Sequence, residues 1–292
     1  QVNLARSLAP FSPPATNSVD SLRYWTEQKP DDTAYVFTDG EGEEIRLSYE
    51  ALDRRARAIG SHLVSNGMRG ERILLLYPPG LEFVSGFMGC LYAGATAIPA
   101  YPPRRNRYMS RIDAISDDAQ AKAALTVADV GDRVQGLLKE ARSLQAASWI
   151  ATDQIPDSAA ESWEPPTIKE SSLAVLQYTS GSTGNPKGVM LSHGNLVHNC
   201  RLIVDSFEAN SDTVGLSWLP TYHDMGLVGG VLLPLFIGRP NVLMSPMSFL
   251  QKPVRWLRGI TKYNITISGG PNFAYDLCVD KITDDELEGL DL

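Results

Sequence analysis

Residues 178–188 combine hydroxyl side chains, glycines and a lysine in a way that suits phosphate chemistry. The segment reads YTSGSTGNPKG and follows the apolar residues of a strand predicted over Leu173–Tyr178. Glycines let backbone N–H groups approach phosphate oxygens closely, hydroxyls add donors, and Lys187 adds a point charge. A Ser/Gly-rich surface turn is the structural alternative, but such turns do not usually stand between an apolar strand and a Pro-Lys-Gly sequence. We therefore predict a loop that cradles a polyphosphate.

The glycine spacing separates this segment from the P-loop of kinases and ATPases. A P-loop has four residues between its glycines, followed directly by Gly-Lys-Ser/Thr. Here two residues stand between Gly181 and Gly184, and Lys187 follows Pro186. A kinase-type phosphate cradle is therefore disfavoured.

The segment resembles the signature loop of the adenylate-forming superfamily, which includes acyl-CoA synthetases, luciferases, peptide-synthetase adenylation domains and acyl-AMP ligases. The resemblance implies ATP with Mg²⁺, attack of a carboxylate on the α-phosphate, and loss of pyrophosphate to leave an acyl-adenylate. It also implies that the loop closes over the β- and γ-phosphates. By resemblance, this phosphate-binding role falls on Thr179, Ser180, Gly181, Ser182, Thr183, Gly184 and Lys187.

A second cluster, residues 218–227, reads WLPTYHDMGL. Asp224 suits the N-cap of a helix, which is the structural alternative to a functional role, and His223 could be a satisfied core histidine. The superfamily resemblance instead makes His223, with Lys187, a catalytic residue, placed where the acyl carboxylate meets the α-phosphate and able to donate to developing charge. Asp224 leaves a further alternative open, because peptide-synthetase adenylation domains use an aspartate here to hold an amino group.

Two longer strings resemble one branch of the superfamily, the fatty acyl-AMP ligases. Residues 219–230 read LPTYHDMGLVGG, and residues 268–278 read SGGPNFAYDLC. A tight strand–helix turn with Pro271 at the helix start is the structural alternative for the second string. The resemblance implies that the acyl and AMP pocket is lined by His223, Asp224, Met225, Ser268, Gly269, Gly270 and Pro271. It implies no metal ligands within these 292 residues.

Apolar runs that alternate with helical periodicity predict an α/β fold with parallel sheets. Strands are predicted at Thr33–Thr38, Glu44–Leu47, Arg72–Tyr77, Ala95–Pro99, Ala123–Val127, Ser148–Thr152, Leu173–Tyr178, Val214–Trp218, Asn241–Met244 and Ile265–Ser268. Helices are predicted at Ser18–Gln28, after Ser48 to about Gly67, Leu81–Ala93, and about 108–121, 130–144, 193–207, 224–236, 250–262 and 272–281.

The predicted architecture is the N-terminal core of an adenylate-forming enzyme, incomplete and truncated before the small C-terminal domain. Residues 18–292 would form that core, as two lobes of largely parallel sheets flanked by helices. One lobe is predicted at 71–205 and the other at 18–70 plus 206–292, after an irregular lead-in at 1–17. Later superfamily motifs are missing, so the fragment alone is expected to have little or no activity.

Composition narrows the partners and the compartment. The net charge of −8 argues against nucleic acid. The one dense basic cluster, Arg104, Arg105, Arg107 and Arg111, is either a solvated loop and helix start or a dock for an anionic partner. Three widely spaced cysteines (Cys90, Cys200 and Cys278) are expected to be buried, reduced thiols of a cytoplasmic protein. No apolar run approaches the ~20 residues of a membrane helix, so no integral membrane association is expected.

Together these features predict a fatty acyl-AMP ligase. It would activate a fatty acid with ATP and pass the acyl group to an acyl carrier protein. Two alternatives stay open: an acyl-CoA synthetase or amino-acid adenylation domain, and a non-catalytic acyl- or nucleotide-binding module.

Overall fold

The computed structural model describes residues 15–102, 109–136, 138, 141–179 and 186–292. Several predictions therefore lie outside the described residues: most of the lead-in, Arg104, Arg105 and Arg107, and loop residues Ser180, Gly181, Ser182, Thr183 and Gly184. Of the basic cluster, only Arg111 is described.

With the exception of β8, the strands fall where apolar or alternating runs predict them, and together they confirm the α/β class. They are β1 (Thr33–Thr38), β2 (Glu44–Ser48), β3 (Arg72–Leu75), β4 (Thr96–Pro99), β5 (Ala123–Thr126), β6 (Ser148–Ala151), β7 (Leu173–Thr179), β8 (Lys187–Ser192), β9 (Gly215–Ser217), β10 (Asn241–Met244) and β11 (Ile267–Ser268).

These strands form two sheets. One has six strands in the order β6-β5-β3-β4-β7-β8, all parallel except β8, which runs antiparallel to β7. The other has five in the order β11-β9-β10-β1-β2, all parallel except β2. The lobe boundaries at 71–205 and 18–70 plus 206–292 stay a prediction.

The helices flank and separate the sheets. They are α1 (Ser18–Gln28), α2 (Tyr49–Ser65), α3 (Leu81–Tyr92), α4 (Met109–Ala119), α5 (Ala128–Gln135), α6 (Arg142–Ala146), α7 (His193–Ser206), α8 (Asp224–Leu227), α9 (Leu233–Ile237), α10 (Pro246–Gln251), α11 (Val254–Tyr263), α12 (Asn272–Lys281) and α13 (Asp284–Leu287). A π-helical turn, Val228–Leu232, joins α8 to α9. Short 3₁₀ turns occupy Thr152–Gln154 and Asp157–Ser162.

The largest core lies between the two sheets. Its buried side chains come from α1, α2, α3, α7 and α9, together with strands of both sheets. Contacts of α3 with β1 on one side and with β3, β4 and β5 on the other tie the sheets together. Smaller clusters fill the outer faces, under α4–α6 on the six-stranded sheet and under α10–α12 on the other. Burial on both faces explains the continuous apolar run of β3.

Two of the predicted helices are wrong, because each corresponds to two separate helices in the structure. The helix predicted over 130–144 is α5 and α6: α5 ends at its C-cap Gly136, and Asp113 Oδ1 accepts from the N–H groups of Ser143 and Leu144 where α6 begins. The helix predicted over 250–262 is α10 and α11. Pro253 separates them, since it lacks an N–H and disfavours helical geometry at the preceding residue.

Strand β8 and the cysteines bring two more corrections. Strand β8 was not predicted, because the chain returns from β7 as a local hairpin rather than through a crossover helix. Cys90 and Cys200 are buried as predicted, whereas Cys278 is partly exposed.

Across the described ranges, none of the helices has the length and apolar character needed to cross a membrane.

The buried His193 makes the stability of the fold depend on pH. It starts α7, and burial lowers its pKa to about 4, against about 6.5 in an unfolded chain. Between these values the unfolded chain binds a proton that the folded chain does not, so stability falls as the pH drops from about 6.5 to about 4. We expect His193→Gln to remove up to about 3 kcal/mol of this acid-induced loss, measured by urea unfolding at several pH values.

The matched control is His198→Gln, because His198 is exposed on the same helix. It should leave the pH dependence as in the unmodified protein. An unchanged acid-induced loss in His193→Gln would contradict this role for the buried ring.

Candidate functional site

The ends of the β7–β8 hairpin carry the described part of the predicted phosphate loop. Thr179 and Lys187 face each other as the last paired residues. Lys187 is exposed and forms no ion pair with any residue the structure describes. One strand position back, the Tyr178 hydroxyl donates to Asp118 of α4, and its ring lies so close to Gly188 that a Cβ there would come within 2.9 Å. Packing of Tyr178 therefore fixes the hairpin on α4.

Gln177 connects this hairpin to the second predicted cluster. Its side chain is 6% exposed, and its Nε2 donates to the backbone oxygen of Tyr222 at 2.8 Å. The Tyr222 ring also meets Tyr101 edge to face, with ring centroids 5.7 Å apart. Since Thr179 is two residues after Gln177, and His223 directly follows Tyr222, the hairpin end and the His223 turn lie side by side.

The turn after β9 presents His223 and Asp224. Pro220 O accepts from the N–H of His223 at 3.0 Å, and His223 caps the helix that starts at Asp224. The prediction that Asp224 is the N-cap is therefore wrong by one residue. The carboxylate still closes the helix end, because Asp224 Oδ1 accepts from the Met225 N–H at 2.7 Å.

A short contact between two neighbouring side chains of this turn fixes the tautomer of the neutral imidazole. His223 Nδ1 lies 2.6 Å from Asp224 Oδ1 and 3.4 Å from the Met225 nitrogen. Nδ1 cannot both donate to the carboxylate and accept from the amide, and the shorter contact is the stronger one, so we assign a proton to Nδ1. With that proton held by Asp224, Nε2 accepts in the neutral ring and donates only in the doubly protonated ring. His223 is 66% exposed at its side chain, so it is not a core histidine.

The third cluster follows β11, which is the neighbour of β9 in the sheet. Because these strands are parallel, both clusters emerge at the same carboxyl edge. The Ser268 hydroxyl donates to Leu216 O at 2.8 Å and accepts from Trp256 Nε1 at 2.7 Å. The Ser268 hydroxyl therefore connects the end of β11 to β9 and to α11. Gly270 leaves room for the Trp218 ring, which a Cβ would approach to 2.6 Å, and Pro271 caps α12.

A cavity of about 550 Å³ opens beside these two clusters. It brings together five of the seven predicted pocket residues: His223, Asp224, Met225, Ser268 and Gly269. Gly270 and Pro271 are not in its wall, and neither are Thr179 and Lys187. We call it the main cavity.

One continuous helical rod, residues 224–237, forms a long side of the main cavity. It consists of α8, the π-helical turn and α9, and we call it the cavity helix. Buried side chains bind two carbonyls of the π turn: Asn241 Nδ2 donates to Gly230 O at 2.8 Å, and the Tyr35 hydroxyl donates to Val231 O at 2.6 Å. The rod ends at Gly238 in the left-handed conformation, with φ of 64°.

Several residues in or beside this site escaped the sequence analysis. Gln177 gave no signal, because its role depends on contact with a distant turn. The sequence carries two further signals that were not used: the adjacent glycines of the π turn, and Arg239, which is a charged residue within the apolar stretch 231–244. Arg239, Asn241 and Gly229 all line the main cavity.

Within the described ranges, no group of three or more His, Cys, Asp or Glu side chains could hold a metal ion. Lys187 at the hairpin end is exposed, and its ammonium group provides the donors and the positive charge that suit a polyphosphate.

The fold and the candidate site define an α/β protein with a cavity of about 550 Å³ that includes residues from the carboxyl ends of two parallel strands, β9 and β11. Residues 22–291 match the family described as AMP-binding enzyme, and the chain belongs to that family. The chain spans about half the length of the curated relatives it matches.

Three relatives illustrate the similarity. The medium-chain-fatty-acid–[acyl-carrier-protein] ligase JamA of Moorena producens is 44% identical, over 96% of this chain and 48% of its own. The 4-hydroxyphenylalkanoate adenylyltransferase of Mycobacterium tuberculosis is 36% identical, over 98% of this chain and 48% of its own. The crystal structure of a fatty acyl-adenylate ligase from L. pneumophila, in complex with acyl adenylate and pyrophosphate, superposes with a TM-score of 0.88. That protein is 42% identical, over 96% of this chain and 48% of that one.

Two glycines of the cavity helix offer a matched test of its packing. A Cβ on Gly226 would lie 2.0 Å from Pro220 O, whereas a Cβ on Gly229 would meet nothing within 4 Å. We expect Gly226→Ala to lower the free energy of unfolding by about 1–3 kcal/mol, because the His223 turn must shift. Gly229→Ala should be neutral or slightly stabilising, since Ala favours helix over Gly. Urea unfolding measures both, and equal effects would show that the Pro220 contact does not hold the turn.

Proposed function

We propose that the intact protein activates a fatty acid with ATP to form an acyl-adenylate and pyrophosphate, and then transfers the acyl group to an acyl carrier protein. One observation carries this proposal. The exposed His223–Asp224 pair lines a cavity of about 550 Å³ with largely apolar walls, and Gln177 ties the turn that carries this pair to the hairpin of the predicted phosphate loop.

The shape of the main cavity supports an extended acyl chain as its ligand. Residues from both ends of the cavity helix line it, and helical rise separates these ends by roughly 20 Å. The walls of this cavity of about 550 Å³ are largely apolar, which suits an alkyl chain. Each buried methylene contributes about 0.8 kcal/mol of transfer free energy, so the walls favour an alkyl substrate.

The carboxylate of such a chain would lie at the carboxyl edge, beside His223. Adenylate formation brings a carboxylate and a polyphosphate together, so positive charge and fixed positions supply most of the acceleration. We propose that the protonated ring donates through Nε2 to the developing charge while Asp224 orients it. Met225, Ser268 and Gly269 shape the adjoining wall, and Gly270 and Pro271 support it from behind.

The triphosphate of ATP would lie on the hairpin loop. We propose that Thr179, the loop residues Ser180, Gly181, Ser182, Thr183 and Gly184, and Lys187 bind it, with Lys187 neutralising phosphate charge. Mg²⁺ enters with the ATP, because phosphate oxygens are ligands that Mg²⁺ prefers. A cytoplasmic location belongs to the same proposal, as that is where ATP and carrier proteins meet.

An acyl carrier protein is the acceptor that the relatives support, since JamA is named for it. An amino-acid adenylation domain is the weaker alternative, because one Asp224 oxygen is engaged by His223 and by the Met225 N–H rather than open to an ammonium group.

The proposal is tested with the intact protein, ATP, Mg²⁺ and a series of fatty acids. We expect acid-dependent release of pyrophosphate, and mass spectrometry should detect the acyl group on an added holo acyl carrier protein. Efficient production of free acyl-CoA would assign the acyl-CoA synthetase alternative, and pyrophosphate exchange only with amino acids would assign the adenylation-domain alternative. No pyrophosphate with any carboxylic acid would leave the non-catalytic binding module.

Lys187 separates the two half-reactions. We expect Lys187→Ala in the intact protein to slow adenylate formation by about 10- to 100-fold, the range of one lost charge-assisted hydrogen bond. Transfer from preformed acyl-adenylate should change much less, because no triphosphate is bound in that step. Single-turnover assays measure each step. The control Lys281→Ala removes an exposed lysine on α12 and should affect neither; equal losses in both steps of Lys187→Ala would contradict phosphate binding.

A further inference from the structure

The cavity helix contains three glycines, and close packing explains two of them. A Cβ on Gly226 would lie 2.0 Å from Pro220 O, and a Cβ on Gly230 would lie 3.1 Å from Ser217 Oγ. A Cβ on Gly229 would meet no atom of the described residues within 4 Å, and the φ of Gly229 is not in the left-handed region. Neither a close neighbour nor the backbone conformation therefore requires a glycine at this position.

A glycine without a steric reason is unfavourable inside a helix. Glycine loses more backbone freedom on folding than alanine does, so it lowers helix stability. One advantage that offsets this cost is that a ligand can approach the bare backbone closely. Gly229 is exposed, and it lines the main cavity. The space that it leaves in the cavity therefore explains the absence of a side chain.

Gly229 lies in the middle of an apolar stripe on the cavity helix. Met225, Gly229 and Leu233 are spaced four residues apart, so they share one helical face, and all three line the main cavity. A side chain at position 229 would therefore project from the same face into the same cavity. Gly229 follows the helix start at Asp224 by roughly 8 Å of helical rise, so the gap in the stripe lies inside the cavity, beyond its His223 end.

Helix α7 provides a second border of the main cavity. Asn199, Ile203 and Phe207 line the cavity, and their spacing of four residues places them on one face of α7. Helix α7 also contacts the π turn and α9, so it lies beside the cavity helix. Within its stripe on the cavity helix, Gly229 takes the least space from the cavity that both helices border.

We propose that Gly229 is a specificity-determining residue that admits longer acyl chains to the part of the main cavity beyond it. A short acid with its carboxylate beside His223 would occupy only the part of the cavity before Gly229. A longer acid would lay its chain across the bare backbone of Gly229 and continue past Leu233. This inference rests on the proposed function, because the cavity must first hold the acyl substrate of an adenylate-forming reaction.

The test measures the acyl-chain profile of the intact protein. We measure kcat/KM for pyrophosphate release with butanoate, hexanoate, octanoate, decanoate, dodecanoate and hexadecanoate. We expect Gly229→Leu to lower kcat/KM for the longer acids by about tenfold or more, mainly through KM, since an apolar site detects even one methylene group by such a factor. The shortest acids that the unmodified protein uses should be nearly unaffected, and Gly229→Ala should shorten the profile less than Gly229→Leu.

A second position makes the length dependence specific. Leu233 lies on the same face of the cavity helix, roughly 6 Å further from His223 along the helical rise. Leu233→Phe should therefore also remove the longest acids, but its cut-off should fall at a longer acid than the cut-off of Gly229→Leu.

The matched control is Gly136→Leu. Gly136 is exposed at the end of α5, beside the other sheet, and a Cβ there would also meet no atom of the described residues within 4 Å. This variant should keep the acyl-chain profile of the unmodified protein. Thermal melting checks that each variant is folded, and Gly229→Ala together with Leu233→Phe keeps the test decisive if Gly229→Leu does not fold.

The outcomes separate the two proposals. A folded Gly229→Leu protein with an unchanged profile overturns the role of Gly229 and leaves the proposed function intact. Equal losses for short and long acids also overturn it, because damage to the fold does not depend on chain length. A cut-off at a shorter acid in Leu233→Phe than in Gly229→Leu overturns the placement of the carboxylate beside His223. No release by the unmodified protein with any acid refutes the proposed function itself.

Discussion

The hydrogen bond from Gln177 Nε2 to Tyr222 O connects two sheets that each carry part of the candidate site. The hairpin with Thr179 and Lys187 belongs to the six-stranded sheet, and the His223 turn follows β9 of the five-stranded sheet. The bond is 2.8 Å long and partly buried, and Gln177 itself is 6% exposed, so the contact is partly shielded from water. Gln177 Oε1 is buried without a partner among the described residues, which is a cost to the fold. The contact fixes the hairpin end beside the His223 turn, as the proposed function requires of a phosphate-binding loop and a carboxylate-binding turn.

Parallel strand order supplies the second constraint. Adjacent parallel strands deliver their following loops to one edge, so the clusters after β9 and β11 meet although about forty residues separate them in the chain. The cavity helix then returns along the sheet and sets the length of the cavity. Its π turn is held by Tyr35 and Asn241, which bind carbonyls that an uninterrupted α-helix would use internally. The backbone of the cavity helix thus forms one side of the cavity, and two side chains hold that backbone in place.

The sequence predicted whatever depends on local pattern. Period-two and period-3.6 apolar spacing located the strands and most helices, and residue composition alone marked the loop before Lys187 and the clusters at His223 and Ser268. It missed the helix break at Pro253, although a proline commonly ends a helix. It also missed β8, because strands were expected to alternate with helices throughout the chain. It could not find Gln177, because the role of this residue depends on a partner that is distant in the chain. The sequence suggested Asp224 as an N-cap, whereas the N-cap in the structure is His223. Either residue could occupy this position, and only the backbone geometry decides between them.

The two ends of the main cavity differ in exposure. At one end the side chains of His223 and Asp224 are 66% and 70% exposed, whereas Arg239 and Asn241 at the other end are 4% and 1% exposed. Burying a charge without compensation is costly, so a ligand that joins a carboxylate to an apolar chain is accommodated at lower cost when its carboxylate lies at the exposed end. Under the proposed function, this difference in exposure favours the orientation that leaves the reacting carboxylate beside the hairpin.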